Sequence, residues 1–203
     1  MSKKHNLSIS LTLPSWVESM LPEEGRTFDS AEERMQYALG LARENVRQKT
    51  GGPFGAAVFD LDSGKLIAPG VNVVVASSCS SAHAEMMAMS LAQQELRTHD
   101  LGGEDMPRCE LVTSAEPCAM CLGAIPWSGV RRVLCGARDE DVRAVGFDEG
   151  AKPAGWITDL QSRGIEVVRD VCRAEAADVL GEYKSSGGEV YNGRSGKEKT
   201  TDP

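Results

Sequence analysis

Histidine, aromatic residues and paired cysteines are all scarce in this sequence, and each scarcity narrows what the chain can do. The 203 residues contain 3 histidines, 3 tryptophans, 3 tyrosines and 4 phenylalanines. His5, His83 and His99 are too few and too scattered to supply the second ligand pair that a closed, four-ligand structural metal site requires. Of the 6 cysteines only Cys118 and Cys121 lie close together, which excludes the dense disulfide framework of a small secreted domain. Cys79, Cys109, Cys135 and Cys172 therefore read as isolated thiols in a reducing, cytoplasmic setting. Basic residues are outnumbered, 22 against 30 acidic ones, giving a formal charge of −8. Such a chain repels polyanions, which argues against nucleic acid and anionic membranes as partners. No apolar run approaches the ~18 residues of a membrane span. The opening "MSKKHNLSISLTLPSW" is interrupted by Ser8, Ser10 and Thr12, where an export signal would be continuous.

What is present is a regular alternation of helical and extended patterns. In "DSAEERMQYALGLARENVRQKTGG", Ala31, Met35, Ala38, Leu39, Ala42 and Val46 repeat at helical spacing. Ser30 with Glu33 forms a capping box at its start, and Gly51 and Gly52 are expected to stop it. A β-hairpin follows over Pro53 to Val75, turning at "LDSGK", and then a helix from Ala82 to Arg97 with Ser81 as N-cap. Beyond it come a strand in "RCELVTS", a helix in "CAMCLGAIPWSG" limited by Pro126 and Gly129, and a strand in "VRRVLCGA". A short helix or loop over Asp139 to Gly150, a fifth strand in "GIEVVRDV" and a closing helix in "RAEAADVLGEYKSS" complete the pattern. The fold class is α/β: a three-layer α/β/α sandwich around a mixed five-stranded sheet. One domain, residues 28–186, is expected between an amino-terminal extension, 1–27, and a polar tail, 187–203. Trp16, Trp127 and Trp156 are expected to pack or line interfaces, and "EMMAMSLA" to face the core.

Cys118 and Cys121 are three apart just after Pro117, so on a helix both project from one face and both can reach one ion. The start of a helix also favours thiolate over thiol. Zinc accepts sulfur and imidazole, and His83 is the natural third ligand. Three protein ligands leave a fourth position for water, whose pKa zinc lowers from 15.7 toward about 7. Glu85, two residues beyond His83, points differently and stands as a general base for that water. A thioredoxin-like dithiol would explain the two cysteines and leave His83 and Glu85 without purpose.

"HAE" followed by "PCAMC" resembles the zinc-dependent cytidine deaminase superfamily. Together with "GGPFGAAVF", "SAEPCAMCLGAIPWSGV" and "GFDEG", the motifs resemble its bacterial guanine deaminase branch, some relatives of which also deaminate the triazine ammeline. The resemblance implies a sheet flanked by helices, zinc on His83, Cys118 and Cys121, Glu85 as proton shuttle, and a homodimer. It also implies a substrate amide contact from Asn72 and an acidic residue over the site, Glu149 with Asp148 as the alternative. Phe54 and Phe147 would lie against the substrate ring, and Tyr191 of "GEVYNG" would belong to a segment closing the site. The expected activity is hydrolytic deamination of a small heterocyclic amine, guanine to xanthine first and ammeline second. The alternatives are a nucleoside or cytosine deaminase, a tRNA adenosine deaminase, and a zinc-binding module without catalysis. Acidic charge weighs against the tRNA reading, and Glu85 against the last.

Overall fold

A computed structural model describes residues 7–193. The expected mixed sheet is there: β1 (Gly55–Asp60), β2 (Leu66–Val71), β3 (Cys109–Ala115), β4 (Arg132–Ala137) and β5 (Glu166–Val168), ordered β2-β1-β3-β4-β5. β1 runs antiparallel to β2 and β3, whereas the β3–β4 and β4–β5 pairs are parallel. The helices are α1 (Ala31–Arg47), α2 (Val74–Ser77), α3 (Ala84–Glu95), α4 (Ala119–Ser128), α5 (Asp139–Ala144), α6 (Trp156–Ser162) and α7 (Arg173–Ser185), preceded by a 3-10 turn at Ser15–Met20. α4 makes the crossover between the parallel strands β3 and β4.

Alternation along the strands splits the core into two layers. Ala57, Phe59, Val112 and Leu134 cluster with Met35 and Leu39 of α1 and Leu180 of α7. Ala56, Val58, Leu111 and Val133 cluster with Ala88 of α3, Ile125 of α4 and Leu160 of α6 on the opposite side. α3 can lie this close to β2 because of Gly70. A Cβ there would come within 2.2 Å of the Ala84 carbonyl oxygen and 2.6 Å of the Ala88 nitrogen. The first turn of α3 is thereby laid directly on the sheet.

Several boundaries differ from the sequence expectations, each for a local reason. The Ser30 hydroxyl accepts from the Glu33 N–H (3.1 Å), but the Glu33 carboxylate reaches back to the Asp29 N–H (2.8 Å), a box shifted by one residue. α1 ends at Arg47, well before Gly51, and Lys49 adopts φ 55°, a left-handed turn without glycine. The hairpin leaves the sheet at Val71 instead of Val75, because Asn72 Oδ1 accepts from the Val74 N–H (3.3 Å) and bends the chain into α2. α3 starts at Ala84 with His83, not Ser81, in the cap position. Pro126 does not end α4. It falls in the last turn, where only the bond to Leu122 is lost, and the helix stops at Gly129 (φ 84°). α6 has no counterpart in the sequence reading. It buries Trp156 and Leu160, a single i, i+4 pair.

The two ends of the described chain join the same body. Val17 of the 3-10 turn packs with Leu41, Val71, Val73, Ala82 and Met87, with Trp16 against them. Val190 and Tyr191 pack on the α1/α7 layer. Residues 194–203, most of the expected polar tail, and 1–6 lie outside the described residues. Beneath the sheet, Glu110 is wholly buried between the guanidinium groups of Arg34 and Arg132. Among the described residues no helix is long and apolar enough to cross a membrane.

Candidate active site

Two helix starts meet beyond the ends of β2 and β3. His83 is the N-cap of α3 and Cys118 the N-cap of α4; the imidazole makes no cap hydrogen bond, and the Cys118 sulfur is engaged only weakly, by the Cys121 N–H. Both are therefore free to turn toward each other. The His83 Nδ1 atom stands 3.5 Å from Cys118 Sγ and 3.6 Å from Cys121 Sγ. All three donor atoms lie within 4.8 Å of one another. A tetrahedral zinc with ordinary Zn–N and Zn–S bonds sets its nitrogen and sulfur ligands about 3.6 Å apart. The donor set and its spacing thus fit zinc without rearrangement.

Protonation in this pocket is strongly biased. The hydrogen bond from Cys121, with burial opposing it and His83 assisting, brings the Cys118 thiol down to about 4. Cys121 is pushed up because it gives its proton to that sulfur and is buried. Burial disfavours charge on His83, but the Cys118 hydrogen bond and the nearby Glu85 carboxylate outweigh it and raise the imidazole. Glu85, the second residue of α3 and 6% exposed, is raised by burial and by Cys118. A carboxyl held above its usual range is better matched to proton transfer near neutrality.

A cavity of about 350 Å³ opens on these residues, at the small end of the range for ligand sites. Phe54 and Phe147 line it, edge to face at 5.1 Å, with Tyr191 5.5 Å from Phe147. Glu149 also lines it, 6% exposed, and burial with the Cys118 and Glu85 charges pushes its carboxyl up to about 8. Its carbonyl accepts from the Ala119 N–H (2.9 Å), which ties this segment to the start of α4. Asp148 borders the cavity, but its carboxylate accepts from the Gly150 N–H (2.9 Å) and faces Arg143 (3.6 Å) in solvent. Of the two acids, only Glu149 is turned inward. Asn72 is 1% exposed and does not itself line the cavity. Its Nδ2 faces the Tyr191 hydroxyl at less than good hydrogen-bond geometry, and this contact only partly offsets the burial that raises the Tyr191 phenol.

Two residues at this site escaped the sequence reading. Glu116 lines the cavity wall and is 4% exposed, bonded to Arg169 and to the Asp139 N–H (3.2 Å). Lys152 places its buried ammonium 3.0 Å from Asp139 Oδ1, 3.2 Å from the Pro117 carbonyl and 3.5 Å from Glu116 Oε2, over the Trp156 ring. Together they brace the turn that presents Cys118. The position of Glu116 just before Pro117 was a usable signal; nothing in the sequence pairs Lys152 with residues so far upstream.

Comparison with known proteins agrees with this geometry. Residues 29–137 match the model of the cytidine and deoxycytidylate deaminase zinc-binding region. A guanine deaminase from Bacillus subtilis is 40% identical over 115 residues, covering 57% of this chain and 69% of that protein. The structure of a guanine deaminase from Nitrosomonas europaea is 49% identical with a TM-score of 0.84, covering 90% of this chain and 99% of that one. A variant of the protein NE0047 in complex with 8-azaguanine is also 49% identical, with a TM-score of 0.85 over 89% of this chain and 99% of that one. With more than half its length matched and its three metal donors already at bonding separations, the chain belongs to the cytidine and deoxycytidylate deaminase family of zinc-dependent aminohydrolases.

Proposed function

We propose that this protein hydrolyses guanine to xanthine and ammonia, and ammeline more slowly. The observation that carries the reading is the buried Glu149 carboxyl, aimed with Glu85 into a small aromatic cavity at the three metal donors. Zinc on His83, Cys118 and Cys121 supplies Lewis acidity and a water acidified toward neutrality. Glu85 accepts one proton from the attacking water and delivers it to the ring nitrogen beside the attacked carbon. It then carries the second water proton to the departing amine, so the C–N bond breaks with release of neutral ammonia and the water oxygen stays as the new carbonyl. Glu149 accepts the N–H groups of the purine edge, and Asn72 Nδ2, held beside the Tyr191 hydroxyl, donates to the ring carbonyl. Phe54, Phe147 and Tyr191 enclose the ring and keep bulk water out, which strengthens each of these polar contacts. The names and bound ligand of the guanine deaminase relatives support the same substrate.

Ammonia release measured with zinc-loaded protein over guanine, guanosine, cytosine, cytidine, adenine and ammeline tests this reading. Guanine is expected to give the highest kcat/KM, ammeline a lower but measurable one, and the nucleosides none. Faster turnover of cytosine or cytidine would transfer the assignment to a pyrimidine deaminase.

The active molecule is a homodimer in this reading, built on the outer face of α4. That helix carries no charged residue in its ten positions. Met120 and Trp127, 38% and 87% exposed, flank Gly123 on the solvent side. Glycine in a helix interior costs about 1 kcal/mol against alanine. Yet among the described residues a Cβ at Gly123 would meet nothing within 4 Å beyond its own helix backbone, so the notch is open to something approaching from outside. A second copy related by a two-fold axis can set its Trp127 there, each side repeating the contact. Sedimentation at micromolar concentration should give a dimer for the native chain and a zinc-bearing monomer for Trp127→Arg; a native monomer would remove the dimer. All six cysteines are unbridged, which supports the cytoplasmic setting.

A further inference from the structure

We propose that Asn45 is a positioning residue for the Asn72 amide and couples the amino-terminal segment to substrate binding; this rests on reading Asn72 as a substrate contact. Asn45 lies on α1, away from the cavity, and is fully buried. Asparagine is a mediocre helix former, and buried inside a helix it must find partners for its whole amide. Its Nδ2 donates to the Gly52 carbonyl (2.8 Å) and to the Asn72 carbonyl (2.9 Å), while its Oδ1 accepts from the Thr50 hydroxyl (2.7 Å). Two carbonyls around one end of the amide fix which end is nitrogen. The Thr50 hydroxyl in turn accepts from Trp16 Nε1 (3.0 Å), so the chain of bonds begins on the 3-10 turn near the amino terminus.

This network immobilises the main chain where it matters. The Asn72 N–H donates to the Phe54 carbonyl (3.1 Å) and the Asn72 carbonyl is held by Asn45, so the residue is fixed on both sides. Gly51 completes the clamp: a Cβ there would fall 1.8 Å from the Asn72 carbonyl oxygen, a separation no side chain tolerates. With its backbone locked and Oδ1 committed to the Val74 N–H, Asn72 has Nδ2 left, buried and facing only the Tyr191 hydroxyl at the cavity wall. A donor held against one poorly aligned hydroxyl is preorganised for an acceptor arriving with the substrate, and the bonds that fix it lie outside the cavity.

The test is a double-mutant cycle of Asn45→Ala and Asn72→Ala in the zinc-loaded full chain, with kcat, KM, zinc content and Tm measured on the fastest substrate. Each single variant is expected to raise KM about tenfold with kcat changed less than about threefold, the signature of lost binding. The double variant should be no worse than Asn72→Ala, since the two act through one amide. Multiplication of the two effects overturns the proposal and leaves Asn45 a purely structural residue. Raised KM in Asn72→Ala with none in Asn45→Ala also overturns it, while an unaffected Asn72→Ala overturns the Asn72 reading itself. Should Asn45→Ala not fold, Thr50→Val removes only the hydroxyl that joins Trp16 to Asn45 Oδ1. It is expected to raise KM about threefold in the native background and not in Asn72→Ala, and an unchanged KM in the native background overturns the proposal.

Discussion

Glu85→Gln is expected to leave the protein folded and zinc-loaded while kcat for guanine falls by about 10²–10⁴ or more, the usual contribution of a positioned acid-base group. The substitution is nearly isosteric on the second residue of α3, where the side chain is buried. Among the described residues the donor set that fits zinc consists of His83, Cys118 and Cys121, so removing the Glu85 charge takes no ligand from the metal. A carboxamide keeps hydrogen-bonding capacity but cannot accept and return a proton. Metal analysis beside an ammonia-release assay separates the outcomes. Zinc at the native level with turnover lost places proton transfer on Glu85. Turnover within about tenfold of native would show that another group carries the proton, and Glu149, raised to about 8 by burial and lining the same cavity, is the candidate.

Removal of zinc is expected to abolish activity, and adding it back should restore the native chain but not His83→Ala, Cys118→Ser or Cys121→Ser. Loading should also depend steeply on pH, in a direction fixed by the free pocket. Cys118 is acidic, held near 4 by the Cys121 hydrogen bond, so it seldom carries a proton that the metal must displace. Cys121, raised by the same hydrogen bond, always does. His83 titrates above its ordinary value, so acidification through that point adds a second proton. The Kd for zinc should therefore weaken about tenfold per unit of falling pH while His83 is neutral, and about a hundredfold per unit once it is charged. Titration with a competing chelator across this range measures both slopes. A pH-independent Kd would mean that protonated thiols do not compete, and would contradict the proposed ligand set.

How far the sequence disclosed this molecule depended on whether the reason for a residue was local. The metal donors and Glu85 could be read because their chemistry constrains type and spacing: two sulfurs on one helix face, one imidazole, one carboxyl that does not ligate. Strands β1, β3 and β4 could be read from continuous apolar runs, and the mixed sheet from their order. His83 as a helix cap could not, since Ser81 is the better capping residue by local rule and yields because the imidazole is drawn to the two sulfurs. The inward turn of Glu149 over Asp148 depends on the Ala119 N–H, thirty residues upstream. Lys152 and Asn45 were invisible for the same reason. Each acts through partners set beside it by the sheet, and neither belongs to a pattern of its own.

The strand order carries a consequence for how the metal is acquired. Because β1 lies between β2 and β3, the imidazole arrives on the far side of the hairpin and the two sulfurs on the far side of β3. The donors become neighbours only when β3 has docked along β1, a pairing between residues some fifty positions apart. A nascent or unfolded chain offers the ion only one closely spaced pair of donors, Cys118 and Cys121, so full-strength capture is a late event that reports completion of the sheet.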